Sequence, residues 1–141
     1  MTTTSRTPPL TTLYHCLSFE DADAGMDFLR AVGFVEVAVY RREGDPGIVE
    51  HAQFRWGERG GLMCGSAARA DGELQRRPGT SVCYCVVDSD EEVDAVYERA
   101  LAAGAVGVQP PSNPPYGGRD ALVKDAEGNQ WSFGSYAGEP G

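Results

Sequence analysis

One pattern runs twice along this chain of 141 residues, with a period of roughly 65 residues, and it constrains the fold more than any other feature. The first copy opens on Leu13 to Phe19, "LYHCLSF", a short run of aromatic and apolar residues without Gly or Pro that reads as a buried strand. A helix follows over 21–32. Ala24, Phe28, Leu29 and Val32 fall at helical spacing, acids crowd its start, and Gly33 sits at the C-cap. "FVEVAVYRR" then alternates as a strand, with Phe34, Glu36, Ala38 and Tyr40 on one side and Val35, Val37 and Val39 on the other. "EGDPG" reads as a turn, "IVEHAQFRWG" as a strand, "ERGG" as a turn and "LMCGSA" as a short strand.

The order returns after residue 79. "TSVCYCVVD" is a strand. "SDEEVDAVYERALAAG" is a helix, with Ser89 as N-cap, Glu92 three residues on, one apolar stripe through Val93, Val96, Tyr97, Ala100 and Leu101, and Gly104 at its end. "VGVQPP" is a strand closed by prolines, and "RDALVKD" and "NQWSFGSY" form a hairpin around "AEG". The reading is an α+β fold of two β-α-β-β-β modules, at 10–66 and 80–136, joined by a polar linker at 67–79. A disordered start at 1–9 and a tail at 137–141 flank them. One such module covers one face of its sheet with its helix and leaves the other face open. Two modules are therefore expected to curl around a shared cavity, the usual place for a small ligand.

Charge narrows the partners. The formal net charge is −9, and the arginine pairs Arg41-Arg42 and Arg76-Arg77 are too short for a basic stripe. That excludes a nucleic-acid surface and suits a cationic ligand. No apolar run is long enough to span a membrane. Met1 to Pro9 lacks the apolar stretch of a secretory signal. Cys16, Cys64, Cys83 and Cys85 lie in apolar strand-like runs without a CxxC, as expected of reduced thiols in the cytoplasm.

The paired modules, the opening "LYHCLSFEDADAGMDFLRAVGF", the segment "VVDSDEEVDAVYERALAAGA" and above all "PPYGGRDALVKDAEGNQWSFGSY" resemble the vicinal oxygen chelate superfamily. That group holds glyoxalase I, extradiol dioxygenases and the fosfomycin- and bleomycin-resistance proteins. The resemblance spans about residues 10–136, and the closing motif is most like the bleomycin-resistance and glyoxalase-like branch. It implies a cupped eight-stranded mixed sheet with helices outside, a ligand inside, and a homodimer in which the cups are built within one chain or shared between two.

Metal-using members of that family place His or Glu on several strands, so that a divalent ion polarises a substrate oxygen. At the matching places this chain offers His15 on the first strand, Met63 and Cys64 on the fourth, Val82 to Tyr84 on the fifth, and Ser132 in the last. Only His15 is an ordinary ligand for such an ion. The expectation is a pocket without metal or cofactor that binds a drug or natural product, cationic or aromatic, through His15, Trp56, Cys64, Tyr84, Tyr116, Arg119 and Ser132. The alternatives are a metal-dependent lyase, isomerase or dioxygenase with a shifted set (His15, His51 and Cys64), or a metal-free enzyme with His15 as catalytic base. Trp131 should face the helix, opposite Ser132. Cys83 and Cys85 should share one strand face as packing residues. Arg119 either meets an acidic ligand group or clamps the 120–125 segment.

Overall fold

The structure is a computed structural model that describes residues 11–69, 77–115 and 117–139. The start at 1–9, the larger part of the linker, Tyr116 and the last two residues of the tail lie outside them. Module one contains β1 (Tyr14–Phe19), α1 (Ala22–Val32), β2 (Val35–Arg42), β3 (Asp45–Trp56) and β4 (Gly60–Ser66), followed by a 3-10 turn at Ala67–Arg69. Module two contains β5 (Val82–Val86), α2 (Asp90–Ala102), β6 (Val106–Ser112), β7 (Asp120–Lys124) and β8 (Gln130–Gly134). The fold is α+β, as the repeat requires. Its eight strands hydrogen-bond as two sheets of four, ordered β1-β4-β3-β2 and β5-β8-β7-β6. In each sheet the first strand pairs with the last in parallel, and the remaining pairs are antiparallel.

Local chemistry sets the helix ends. The Asp21 carboxylate accepts the Ala24 N–H at 3.1 Å, and the Ser89 hydroxyl accepts the Glu92 N–H at 3.1 Å. Each satisfies a donor that the first turn leaves without a helical partner. At the other ends Phe34 N–H returns to Leu29 O and Ala105 N–H to Ala100 O. On α2, Val93, Val96 and Ala100 are buried, with Tyr97 and Leu101 at the margin. On α1 the stripe differs from the expected one. Ala24 is exposed, and Ala22, Gly25 and Met26 are buried with Phe28, Leu29 and Val32. The phase shifts because the Phe19 ring packs directly on Gly25, drawing that side of the helix down onto β1.

Two strand boundaries and the alternation of two strands also depart from the sequence reading. The turn is only Glu43-Gly44, Gly44 taking φ +84°, and β3 begins at Asp45 inside the expected "EGDPG" turn. Pro46 is tolerated there because β4 pairs with β3 only from Ala52 onward. Strand β6 runs through Pro110 and Pro111 to Ser112, and as an edge strand it needs no N–H on its free side. In β2 a bulge at Val37 breaks the alternation. Val35, Ala38 and Tyr40 pair with Arg55, Gln53 and His51 on one face, and Glu36 and Val39 pair with Phe54 and Ala52 on the other. A bulge at Val108 does the same in β6.

One core spans both modules. Leu17, Phe19, Leu62 and Phe54 of the first sheet and Val123, Trp131 and Phe133 of the second join Met26, Leu29, Val93 and Val96 of the helices. The Trp131 ring of β8 lies edge-on to His15 and Phe34 of module one, with centroids at 5.9 and 5.7 Å. Trp56 packs on Phe34 and Phe133 and donates its indole N–H to Val86 O at 2.7 Å. The Glu127 carboxylate accepts the N–H groups of Glu20 and Asp21 at 2.6 and 2.8 Å, at the head of α1. Arg99 donates to Val32 O, at the foot of α1.

Candidate functional site

Each sheet has a face turned to the core and an open face, and strand register assigns every side chain to one of them. The open face of the first sheet carries Tyr14 and Cys16 on β1, Gly61 and Met63 on β4, and His51, Gln53 and Arg55 on β3. That of the second carries Val82, Tyr84 and Val86 on β5, Gln130 and Ser132 on β8, and Leu122 on β7. Large apolar groups stay exposed here, among them Tyr40, Val82, Tyr84, Val86 and Val106. Two tyrosines lie against glycine backbone. A Cβ on Gly61 would come 2.5 Å from the Tyr14 ring, and one on Gly134 would come 2.7 Å from the Tyr84 ring. Tyr84 also donates its hydroxyl to Tyr136 O at 2.6 Å.

A groove of about 1140 Å³ runs along the seam between the modules. It is lined by Tyr14 and His15 of β1, by Trp56, and by Cys83, Tyr84 and Cys85 of β5. Its charged rim holds three carboxylates (Glu58, Asp88, Glu92) and two guanidiniums (Arg59, Arg99). Glu92 and Arg99 pair at 3.3 Å, so the remainder carries a single-charge acidic excess.

Of the residues expected in the site, the groove brings together His15, Trp56 and Tyr84. Cys64, Arg119 and Ser132 stand elsewhere. Cys64 faces the core, paired with Leu17 and Ala52, and is 2% exposed. Arg119 is held away from any ligand: its Nε donates to Asp94 at 2.9 Å and its Nη1 to Asn113 Oδ1 at 2.8 Å. It therefore ties α2 to the loop before β7. Ser132 lies on the open face of β8, between Tyr84 and Leu122 and outside the groove lining. Tyr116 is outside the described residues. Tyr14 was missed by sequence reading. Its signal was the glycine pair Gly60-Gly61, which lets a ring lie flat against the next strand.

The shifted metal set does not converge. His15 pairs with Leu62 on the core side of the first sheet. His51 is on the open side of the same sheet, stacked on Tyr40 at 6.1 Å. Adjacent strand residues point to opposite faces, and His51 neighbours the core-facing Ala52. Among the described residues, no group of three or more His, Cys, Asp or Glu is placed to hold a metal ion. The ligand-bearing strands of the open faces present phenol, thioether, hydroxyl and a single exposed thiol, which do not fit an ion that needs imidazole or carboxylate.

Burial pushes the Cys64 thiol up to about 12 from its ordinary value of 9.0. A folded-state value above the unfolded one adds stability that is complete below pH 9.0 and is lost as pH rises toward about 12. Cys64 is thus expected to resist thiol reagents in the folded protein at about pH 8 and to react on unfolding in urea. Replacing Cys64 by alanine should flatten the alkaline fall in stability, read by urea titrations across that range.

Residues 11–133 match the Glyoxalase/Bleomycin resistance protein/Dioxygenase superfamily. The chain belongs to this superfamily. Solved structures agree. TioX from Micromonospora sp. ML1 is 28% identical, covering 88% of this chain and 97% of that one, with a TM-score of 0.69. A glyoxalase/bleomycin resistance protein/dioxygenase from Nocardioides is 25% identical over 99% and 91%, with a TM-score of 0.60. A lactoylglutathione lyase from Agrobacterium tumefaciens, 23% identical over 91% and 95% with a TM-score of 0.65, shares the fold. No curated protein matches the chain.

The family's closing motif turns out to be architectural. The buried Asp125 carboxylate accepts from Glu127 N at 2.9 Å, Asn129 N at 3.0 Å, Asn129 Nδ2 at 3.2 Å and Trp131 Nε1 at 3.0 Å. Asn129 Oδ1 in turn accepts from Gly79 N at 3.0 Å and Ser81 Oγ at 2.9 Å. The hairpin that carries most of the family resemblance fastens the end of the linker to β5 and β8. Trp131, fully buried, faces the core as expected.

Proposed function

We propose that this protein binds a planar aromatic molecule, neutral or cationic, in the seam groove, without a catalytic metal. Sequestration of a drug or natural product is the concrete form. One observation carries the reading: at the places where the family resemblance implies metal ligands, the open faces present Met63, Tyr84 and Ser132, and His15 lies on the core side of its strand. Aromatic rings held flat by glycine favour stacking over coordination. The acidic rim of the groove favours a cation. The apolar side chains left exposed on both sheets support a homodimer in which a second copy covers them. Reduced, partly buried thiols suit the cytoplasm. No helix among the described residues is long and apolar enough to cross a membrane.

Bleomycin and a panel of cationic aromatic antibiotics serve as probes by calorimetric titration and thermal shift. At least one should bind with micromolar or tighter affinity, raise the melting temperature through mass action, and keep its affinity in EDTA. Tyr84→Leu should weaken that affinity about tenfold, the loss of one stacking ring. Retention of one transition-metal ion per chain, with chelator-sensitive turnover, would overturn the reading. Turnover that survives chelation but not His15→Gln would select acid–base catalysis instead.

A further inference from the structure

The groove wall holds a second chemistry that ligand binding does not use. Cys83 and Cys85 stand two residues apart on β5, on one face, with their sulfurs 3.9 Å apart in S–H···S contact. Both border the groove. Cys83 is half-buried and faces the space, and Cys85 lies behind it, 4% exposed.

We propose that Cys83 and Cys85 form an oxidisable dithiol, Cys83 being the thiol oxidised by a hydroperoxide and Cys85 the thiol that resolves it. In the first step the Cys83 thiolate attacks the peroxide O–O bond. Cys83 becomes a sulfenic acid, the peroxide is reduced, and water or an alcohol leaves. In the second step Cys85 sulfur displaces the sulfenic hydroxyl as water. The net change is two thiols and one peroxide to one disulfide, one water and one water or alcohol.

The surroundings assign the roles. Exposure separates the two: Cys83 is half-buried at the groove wall and is the sulfur a peroxide can reach, and the S–H···S hydrogen bond with Cys85 makes its thiol more acidic. That same bond and burial hold Cys85 protonated, well above the ordinary thiol range. Cys64 is silenced by burial, and Cys16 has no second thiol beside it on its strand.

Strand geometry decides what the disulfide would be like. Residues two apart on a strand have Cα atoms about 6.6 Å apart, near the upper limit of about 6.8 Å for a disulfide. Closure is allowed but strained, so the bridge is readily reduced. It also has to draw in the backbone between the cysteines. Tyr84 is the residue between them, and Cys83 and Cys85 pair with Trp131 and Phe133. Oxidation would therefore shift the Tyr84 ring on the open face and loosen β5 from β8.

The experiment needs no ligand, so its failure leaves the proposed function untouched. The exposed Cys16 is first removed as Cys16→Ser to prevent bridging between molecules. Hydrogen peroxide is then added to the folded protein, and thiols are counted in denaturant. The expected result is a loss of two thiols, with the peptide spanning both cysteines lighter by two hydrogens and restored by dithiothreitol. Trp131 fluorescence should change in step. In Cys85→Ser, Cys83 should instead accumulate a sulfenic acid trapped by dimedone. Cys83→Ser should slow oxidation at this strand about tenfold. Thiols that survive peroxide, or a peptide that gains oxygen and never closes, would overturn the proposal.

Discussion

Asp125→Ala should cost about 4 kcal/mol of stability and lower the melting temperature by roughly 15 °C. The carboxylate takes four donors, and three of them belong to Asn129 and Trp131, both fully buried. Water cannot replace the lost acceptor at those atoms without opening the core. An orphaned buried donor costs about 1–3 kcal/mol, and three at the lower part of that range give the figure. The loss travels beyond the turn, because Asn129 also holds Gly79 and Ser81 in front of β5. Asp125→Asn, which keeps one acceptor oxygen, should lose about half as much. Urea titration followed by circular dichroism measures both, and a loss below about 1 kcal/mol for the alanine would show that the network is not what holds the turn.

Trp131→Ala should cost about 3–5 kcal/mol, the range for deleting a buried large aromatic. Its second effect is on cooperativity. Trp131 belongs to module two by sequence, yet His15, Phe28 and Phe34 of module one surround it. A cavity there lies on the seam, where Trp56, Glu127 and Arg99 supply further hydrogen bonds between the modules. The calorimetric transition is expected to broaden or split, with the van't Hoff enthalpy falling below the calorimetric one. Trp131→Phe keeps a ring against His15 and loses the bond to Asp125, so it should stay cooperative with a smaller loss. A single sharp transition in the alanine variant would mean that the two halves are coupled elsewhere.

The repeat, the order of elements and the closing hairpin were legible because they rest on local signals. Ser89 caps its helix as the sequence reading has it, Asp21 proves to be a cap where that reading began the helix, and Gly33 and Gly104 end helices without help from the rest of the chain. The site was less legible because faces depend on register. One extra residue at Val37 moves Ala38 and Tyr40 to the face opposite Glu36, and nothing in "FVEVAVY" marks it. His15 was placed on the correct strand, but only pairing with Leu62 shows that it points to the core. Cys64 was misplaced for the same reason. Arg119 could not be assigned from its neighbours alone because one of its partners, Asp94, lies on α2, 25 residues earlier in the chain.

The two bulges carry a historical meaning. Counting from the glycines that close the two helices, Val37 is the fourth residue after Gly33 and Val108 the fourth after Gly104, and each is the residue skipped at the first register shift of its strand. Side chains around them share little: Glu36 and Ala38 flank one, Gly107 and Gln109 the other. Packing alone gives no reason for both halves to slip at the same count. A common ancestor does, since an insertion made once in a single module is copied when that module is doubled. The irregularity has then outlasted the residues that first accompanied it, and it records the kinship of the two halves more durably than their spelling.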